Sequence, residues 1–538
     1  MRMIFEHGVV FTGALPLQQA FGVEDGVFFF VGSDADAQGM DAQIRVDLKG
    51  QFVCPGFHDS HMHLLNFGQT LSMGQLHKHT KSLEDMIDCL RGVAPGRGGW
   101  IMGRGWNQDY FEDVHRLPNR YDLDRVSLEH PVCAVRACGH GLVVNSKALE
   151  LLGITAHTPV PEGGQIPLED GTPNGQFFDN AMDLVYSQIA APELETVKNL
   201  LRRASAEVNR YGITSCQSDD YCVFQNLPWQ MVNQAYRELE AAGELTVRVY
   251  EQANFTQLEA LKGFIRQGNL TGTGTEFFRI GPLKMLGDGA LGARTAFLSG
   301  SYADAPGERG LSVFTPEEFD SLIGYAHENG MQVAVHCIGD GCLDRVLHSM
   351  EKAQKAHPRQ DHRHGIVHCQ ITRPDQLQKL MDGKYQIYAQ SIFLDYDIHI
   401  VNQRVGTELA SSSYSWKTLK NGGCNVSNGS DCPVALPHVM GGIQCAVTRR
   451  DLKGFGPYLP EEAFTLEEAL QSFTVSGAWA SFEENRKGQI RSGMLADFVV
   501  LGADPFKTEE SGLKDIPVLQ TWLGGKQVYA ANVSDTIR

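Results

Sequence analysis

Strand and helix patterns alternate from about residue 190 to residue 430, and this alternation constrains the fold more than any other feature. Residues 193–211 place apolar side chains at helical spacing, Gly212 ends that pattern, and the apolar run at 213–217 is typical of a strand. Strands that alternate with helices predict a parallel sheet with helices outside it. With a first strand at Phe57, the count reaches eight, which predicts an α/β fold of the (β/α)8 TIM-barrel class. The later strands are predicted at residues 246–251, 278–286, 332–336, 365–368, 385–391 and 424–428.

Short β-type runs lie at both ends of the chain. They occur at residues 3–12, 26–31, 44–48 and 52–54, and again at 488–490, 497–501, 518–523 and 527–530. Neither group alone would bury much apolar surface, whereas one sheet built from both would. We therefore expect a small composite β-domain formed by residues 1–55 and 488–538, with residues 56–487 forming the barrel.

The stretch between the first two barrel strands is long and runs from about residue 70 to residue 190. Its main features are strand-like runs at 99–105 and 131–137 and a Gly- and Pro-rich segment at 158–175. Long loops inside compact enzymes are usually functional. We interpret this stretch as an insertion after barrel strand 1 that covers a pocket.

Charge and sorting signals narrow the class of partner. The 538-residue chain has a formal net charge of −18, which disfavours nucleic acid and anionic membranes as partners. No apolar run approaches the roughly 20 residues of a membrane span, and Glu6 and His7 interrupt the apolar N-terminus, so no signal peptide is expected. The 12 cysteines include no C-x-x-C pair and are interpreted as reduced cytoplasmic thiols. The expected partner is a small-molecule substrate, and a homodimer is left open.

Polar residues occur on five of the predicted barrel strands, close to the point where each strand ends. They are His61 and His63 on strand 1, Lys284 on strand 4, His336 on strand 5, His368 on strand 6 and Asp431 after strand 8. In such a barrel the C-terminal ends of all strands form one face, and active sites are built there. Each residue alone has a structural explanation, as a core histidine, a lysine reaching the surface or a turn-forming aspartate. Their coincidence at one face predicts a functional site.

The residue types at this face suit a divalent metal ion. Neutral imidazoles and a carboxylate are ligands of zinc and related metals. Such a metal lowers the pKa of a bound water from 15.7 to about 7, and a carboxylate beside that water can move its proton to a leaving group. Two metals would need a bridging anion, yet strand 4 offers Lys284, whose ammonium cannot ligate a cation. A lysine carboxylated on its side-chain nitrogen could bridge two metals.

Several motifs resemble those of the amidohydrolase superfamily of metal-dependent hydrolases, and the resemblance covers nearly the whole chain. These motifs are PGFHDSHMH, the Lys284 strand, VAVHCIGD, IVHC and GSDCPV. The segment KMLGDGALGARTA and the tail KGQIRSGMLADFVVL are similar to the branch that includes N-substituted formamide deformylases and exoenzyme regulatory proteins.

This resemblance implies a (β/α)8 barrel with a small β-domain from both termini, and hydrolysis of an amide-type C–N bond. It also implies one or two bound divalent ions, with zinc as the expected cofactor. By motif position, one pair of histidines would bind each metal, a carboxylated lysine would bridge them, and an aspartate would be both ligand and general base. These residues are His61 with His63, His336 with His368, Lys284 and Asp431.

Three further residues are candidates for substrate binding: His140, Asp288 and Arg294. Arg294 could hold a substrate anion with two parallel hydrogen bonds, or could pair structurally with Asp288. His140 could instead cap a loop. The leading functional hypothesis is hydrolysis of an amide, formamide or cyclic C–N substrate. The alternatives are deamination of a ring amine and a non-catalytic regulatory protein on the same scaffold.

Overall fold

The centre of the fold is an eight-stranded sheet in which all neighbours are parallel and the barrel strands follow one another in chain order. The computed structural model describes residues 1–137, 141–161, 163–189 and 191–531. Strand 8 also contacts strand 1, so the sheet is nearly closed and the predicted parallel barrel is confirmed. Barrel strands 1 to 8 are Phe57–Met62, Ile213–Ser218, Arg248–Asn254, Phe278–Leu286, Val333–Cys337, Gly365–His368, Gln386–Ala389 and Val426–Asn428.

Helices connect the barrel strands and pack outside them. The helix at Pro316–Glu328 shows why such segments form, since Thr315 and Glu318 make reciprocal capping hydrogen bonds at its start. The helix predicted at residues 193–211 is observed at Leu194–Arg210, whereas the helices at Leu258–Arg266 and Val401–Ala410 were not predicted. The helices of this part are Leu194–Arg210, Trp229–Ala241, Leu258–Arg266, Pro316–Glu328, Asp340–Ala356, Pro374–Gly383, Leu394–Asp397, Val401–Ala410, Trp416–Asn421, Val439–Thr448, Leu466–Ser472 and Val475–Ala480.

Strands from both ends of the chain share one five-stranded sheet. Its order is Val9–Val10, Phe52–Pro55, Phe498–Leu501, Val518–Leu523 and Lys526–Ala530. Val500 pairs with Val53 across the junction. A four-stranded sheet of Arg2–Glu6, Ala20–Glu24, Val27–Gly32 and Ile44–Asp47 lies nearby in the sequence, with a short helix at Asp34–Gln38. That these strands form a separate domain stays a prediction.

An aromatic core joins the two terminal sheets. The Phe5 and Phe21 rings stack with centroids 4.7 Å apart, and the Phe498 ring meets Phe5 edge-on at 5.1 Å. All three side chains are fully buried. Because buried aromatic rings contribute more apolar area than any other side chain, these contacts tie residues of the N-terminal segment to residues near the C-terminus.

The described chain forms two compact units. The first comprises Met1–Leu64, Ser205–Asp220 and Tyr236–Arg538, and the second comprises Leu65–Ala204 and Tyr221–Ala235. The second unit contains most of the predicted insertion and holds a six-stranded sheet, of which the sequence predicted two strands. In spatial order the strands are Gly164–Gln165, Gln176–Asp179, Gly141–Val144, Val132–Arg136, Ile101–Trp106 and Gly74–Gln75. This part of the chain also contains a two-stranded sheet, Leu168–Glu169 with Thr172–Pro173. Its helices are Leu64–Leu71, Leu83–Arg91, Arg120–Asp124, Ser146–Leu152 and Asp183–Tyr186.

Two negative findings apply to the described residues. None of their helices is both long enough and apolar enough to cross a membrane. The cysteines within the described ranges are free thiols.

Candidate metal centre

The loop after barrel strand 8 is hydrogen-bonded to the end of strand 1. The Asp431 backbone N–H donates to the His61 carbonyl at 2.8 Å, and the His63 N–H donates to the Cys432 carbonyl at 2.8 Å. Gly429 allows this approach, because a Cβ there would lie 2.5 Å from the His61 nitrogen. These contacts place Asp431 next to His61 and His63, although at least 368 residues separate them in the sequence.

His61, His63 and Asp431 form a compact set of donor atoms. Asp431 Oδ1 lies 3.1 Å from His63 Nε2 and 3.3 Å from His61 Nε2. One donor atom from each residue lies within 4.8 Å of the others. Two imidazole nitrogens and one carboxylate oxygen at this spacing fit a divalent ion such as zinc.

The other predicted ligands adjoin this set. The His368 ring lies 5.6 Å from the His61 ring and 4.4 Å from the His336 ring, measured between centroids. Lys284 is buried, and its Nζ lies 3.7 Å from Asp219 Oδ2. The structure therefore brings the predicted histidines and Asp431 into one group at the C-terminal ends of the strands. Their roles as metal ligands stay predictions.

Burial keeps three of the histidines neutral. It lowers the pKa of His61, lowers that of His336 to about 3 and holds that of His368 well below its usual range, with nearby charges such as the Lys284 ammonium adding to the effect on His336. Neutral imidazole is the form that binds a metal. These three side chains are therefore ready to ligate at neutral pH without losing a proton.

Asp431 and His63 shift each other's pKa in opposite directions. Burial by itself raises the pKa of Asp431, but the adjacent imidazoles of His61 and His63 outweigh it and hold that pKa well below its usual range. Burial likewise lowers the pKa of His63, yet the Asp431 carboxylate raises it to about 9. Asp431 is therefore ionised at neutral pH, as a general base must be.

Two glutamines that were not predicted from the sequence orient His61 and His368. Gln252 Oε1 lies 2.8 Å from His61 Nδ1, and Gln390 Oε1 lies 2.7 Å from His368 Nδ1. An amide oxygen can only accept, so each histidine carries its proton on Nδ1 and leaves Nε2 free to ligate. Gln252 and Gln390 lie on or after barrel strands 3 and 7, for which the sequence suggested no site residue. The signal that could have found them is their position at the C-terminal ends of barrel strands, the same position that identified the histidines.

Asp219, after barrel strand 2, is a further missed residue. Its carbonyl oxygen lies 3.0 Å from His63 Nδ1, and its carboxylate Oδ2 accepts a hydrogen bond from Asn254 at 3.0 Å. Its Oδ1 is buried and has no hydrogen-bond partner within the described part of the chain. A buried carboxylate oxygen without a donor is costly, and a nearby cation would remove that cost. This atom therefore adds to the case for a cation at the site.

Asp59 links the end of barrel strand 1 to the loop after barrel strand 8 by hydrogen bonds. Its carboxylate accepts hydrogen bonds from the His61 N–H at 3.2 Å and from the Ser430 N–H at 3.0 Å. Burial raises the pKa of Asp59 to about 7. Because it bridges strand 1 and the loop after strand 8, Asp59 positions the ligands.

The three candidates for substrate binding are placed differently from one another. Asp288 accepts backbone N–H groups from Phe297, Ile338 and Gly339 at 2.8–3.0 Å, and burial raises its pKa to about 7. It therefore joins the loop after strand 4 to the end of strand 5. His140 lies outside the described residues.

Arg294 forms two hydrogen bonds with Asp304, at 2.9 and 3.0 Å. The pairing with Asp288 that we considered is therefore wrong, because Arg294 and Asp304 lie closer together in the same loop. The substrate-binding roles of His140, Asp288 and Arg294 stay predictions.

A second group of histidines lies at the opposite, N-terminal end of barrel strand 6. His327 Nδ1 lies 2.7 Å from His364 Nε2, and His362 Nδ1 accepts the His364 backbone N–H at 2.9 Å. Burial lowers the pKa of His362 to about 4. Protonation of His362 at Nδ1 would break that hydrogen bond, so this group is a structural element that acid should weaken.

The chain matches the sequence model of the amidohydrolase family over residues 45–529. It therefore belongs to that family. It is also similar to YtcJ of Bacillus subtilis, an amidohydrolase by name, with 32% identity over 98% of this chain and 99% of that protein.

Two other similarities extend over nearly the full length. The N-substituted formamide deformylase of Arthrobacter pascens is 26% identical over 95% of each chain. The crystal structure of an uncharacterized metal-dependent hydrolase from Pyrococcus furiosus has a TM-score of 0.78 and 28% identity, covering 94% of this chain and 100% of that one. Family and fold thus agree with the metal-dependent hydrolase expected from the motifs.

Proposed function

We propose that this member of the amidohydrolase family hydrolyses an amide-type C–N bond of a small molecule, with a formamide or other N-acyl amine as the substrate class. The observation that carries the proposal is the group of four histidines and Asp431 at the C-terminal ends of the barrel strands. The similarity to an N-substituted formamide deformylase supports the choice of bond.

The proposed cofactor is zinc or a similar divalent ion. His61, His63 and Asp431 would hold one ion, and His336 with His368 would hold a second if both sites are filled. Such an ion would supply Lewis-acid chemistry, polarising the scissile carbonyl and lowering the pKa of water. Gln252 and Gln390 would keep two of the imidazoles in the tautomer that this role needs.

Asp431 is the proposed general base and acid. Its carboxylate is ionised at neutral pH and can accept the proton of the attacking water. The same oxygen can then donate that proton to the leaving nitrogen, which departs poorly unless it is protonated. Proton transfer of this kind contributes roughly 10²–10⁴-fold to enzyme rates.

Lys284 is the proposed bridge between two ions, after carboxylation of its Nζ. That reaction joins carbon dioxide to the nitrogen and releases two protons from the ammonium form, so a cation is replaced by a carbamate with two oxygens. Burial of Lys284 supports the idea, because a buried amine beside histidines and a carboxylate is poorly placed for a purely surface role.

Elemental analysis of the purified protein, followed by a screen of N-formyl and N-acyl amines, tests this function. We expect at least about one divalent ion per chain and release of a free amine with a carboxylic acid. Metal-free protein, before any chelator treatment, would contradict the metal centre. Release of ammonia from ring amines, with no hydrolysis of N-acyl amines, would contradict the amide substrate and favour deamination.

A further inference from the structure

The inserted unit contains two neighbouring cavities of about 480 and 370 Å³. They share four lining residues, Gln69, Met73, Arg97 and Met102, and we call the pair the insertion cleft. All of its lining residues belong to the second compact unit. Cavities of roughly 300–1,000 Å³ are typical of sites for small molecules.

The charge of the insertion cleft is opposite to that of the whole protein. Arg97, Arg104 and Arg203 line it, and none of its described lining residues is an aspartate or glutamate. The chain as a whole has 64 acidic and 46 basic residues, so a lining with three cations and no carboxylate is unexpected. Arg104 and Arg203 make no ion pair with any carboxylate that the structure describes. An anion from solution would therefore meet the Arg104 and Arg203 guanidinium groups without competition from a described carboxylate.

The three arginines reach the cleft from separate elements. Arg104 lies in the strand Ile101–Trp106, Arg203 in the helix Leu194–Arg210, and Arg97 in the turn before that strand. The Arg97 guanidinium carbon lies 4.2 Å from the centre of the Phe224 ring, and burial lowers its pKa. Stacking on an aromatic face restrains a guanidinium, so less entropy is lost when it binds a planar anion.

The rest of the lining combines apolar side chains with polar ones such as Gln69 and Asn199. Met73, Met102 and Trp100 line the larger cavity, and Val135 and Phe224 line the smaller one. Arginine forms two parallel hydrogen bonds with carboxylates, whereas the apolar walls favour a hydrocarbon or aromatic body. Inorganic anions would satisfy only the first of these features.

We propose that the insertion cleft is a binding site for a small organic carboxylate that carries an apolar or aromatic body. Among the described residues, no predicted metal ligand lines either cavity. The proposal goes beyond the hydrolase function and does not depend on it.

Calorimetric titration of the full-length protein tests this site with matched probes. The carboxylate probe is 3-phenylpropanoate, its uncharged analogue is 3-phenylpropanamide, and inorganic phosphate serves as an anion without an apolar body. We expect 3-phenylpropanoate to bind at least roughly tenfold more tightly than either other probe. The amide loses the hydrogen-bonded charge pair with arginine, and phosphate loses the apolar contacts.

Substitutions locate the binding. Arg104→Met and Arg203→Met keep the apolar stem and remove the charge, and each should weaken 3-phenylpropanoate binding roughly tenfold. Arg125→Met is the matched control, because Arg125 lies in the same unit, pairs with Glu84 and lines neither cavity. Circular dichroism should show that all three variants are folded.

Asp431→Asn separates this site from the metal centre, and 3-phenylpropanoate should bind that variant as it binds the parent protein. Loss of binding in Asp431→Asn would place the probe at the metal centre and overturn the proposal. Equal binding of the amide, no binding of the carboxylate at millimolar concentration, or equal weakening in Arg125→Met would also overturn it.

Discussion

Replacing Asp431 by asparagine isolates the basicity of one carboxylate at the proposed metal centre. The Asp431 side chain is 9% exposed, and its Oδ1 lies 3.1–3.3 Å from two imidazole nitrogens. Asparagine has nearly the same size and keeps the backbone hydrogen bond to the His61 carbonyl at 2.8 Å. The change therefore removes a charge and a proton acceptor and leaves the local fold in place.

The expected loss follows from the role assigned to Asp431. General acid–base catalysis contributes roughly 10²–10⁴-fold, which corresponds to about 3–5 kcal/mol of activation free energy at 1.36 kcal/mol for each factor of ten. We expect kcat to fall by that factor while metal stays bound through the histidines. A second readout concerns His63 in metal-free protein. Its pKa, raised to about 9 by Asp431, should fall, because burial lowers it and the contribution of the Asp431 carboxylate is removed.

The assay measures kcat, metal content and melting temperature on the same preparation. Asp122→Asn is the matched control, since Asp122 is a buried aspartate that pairs with Arg116 at 2.6 Å and caps a helix in the inserted unit. That control should lower the melting temperature and leave kcat per folded molecule unchanged. A folded, metal-loaded Asp431→Asn protein with normal kcat would refute the role assigned to the carboxylate.

Four further predictions follow from the same contacts. Lys284→Ala should lose metal and activity, with partial rescue of activity by short carboxylic acids; a full metal complement and normal turnover would exclude a bridging role. Gln390→Leu should weaken metal affinity about 10–100-fold, measured by competition with a chelator, because His368 loses the partner that fixes its tautomer. His362 has a pKa near 6.5 when unfolded and about 4 when folded, so stability should fall as pH drops from 6.5 to 4, by up to about 3 kcal/mol. Denaturant melts of His362→Gln should show a smaller fall, unlike the exposed control His357→Gln. Deletion of residues 488–538 should leave insoluble protein, because it removes the strand Phe498–Leu501 that pairs with Phe52–Pro55; a soluble, active product would contradict this.

The sequence located the candidate ligands because strand ends follow a simple rule. Apolar runs mark the parallel strands, and a closed parallel barrel brings all C-terminal ends to one face. His61, His336 and His368 therefore had to lie near one another once the strands were identified. Gln252 and Gln390 also lie at strand ends, but a glutamine amide is not a typical zinc ligand, so its residue type did not indicate a role at a metal site.

Other features depend on contacts that no local pattern encodes. The strands at Gly74–Gln75 and Gly164–Gln165 have two residues each, so they exist only because a longer neighbour supplies their hydrogen bonds. Asp288 could be recognised as a polar residue after strand 4, yet its three backbone donors come from two later segments. The Asp304 partner of Arg294 likewise depends on how one loop folds.

By itself the sequence determined the barrel, the order of its strands and the residue types at their ends, since these follow from periodicity and from the direction of parallel strands. Only the tertiary structure decided which atoms meet. It determined that Gln252 contacts His61 and that Gln390 contacts His368. It also determined the pairing of Phe498–Leu501 with Phe52–Pro55, and it brought three arginines together in the insertion cleft. The physical reason is that hydrogen bonds and ion pairs act over about 3 Å, whereas sequence patterns constrain positions only to within a few residues.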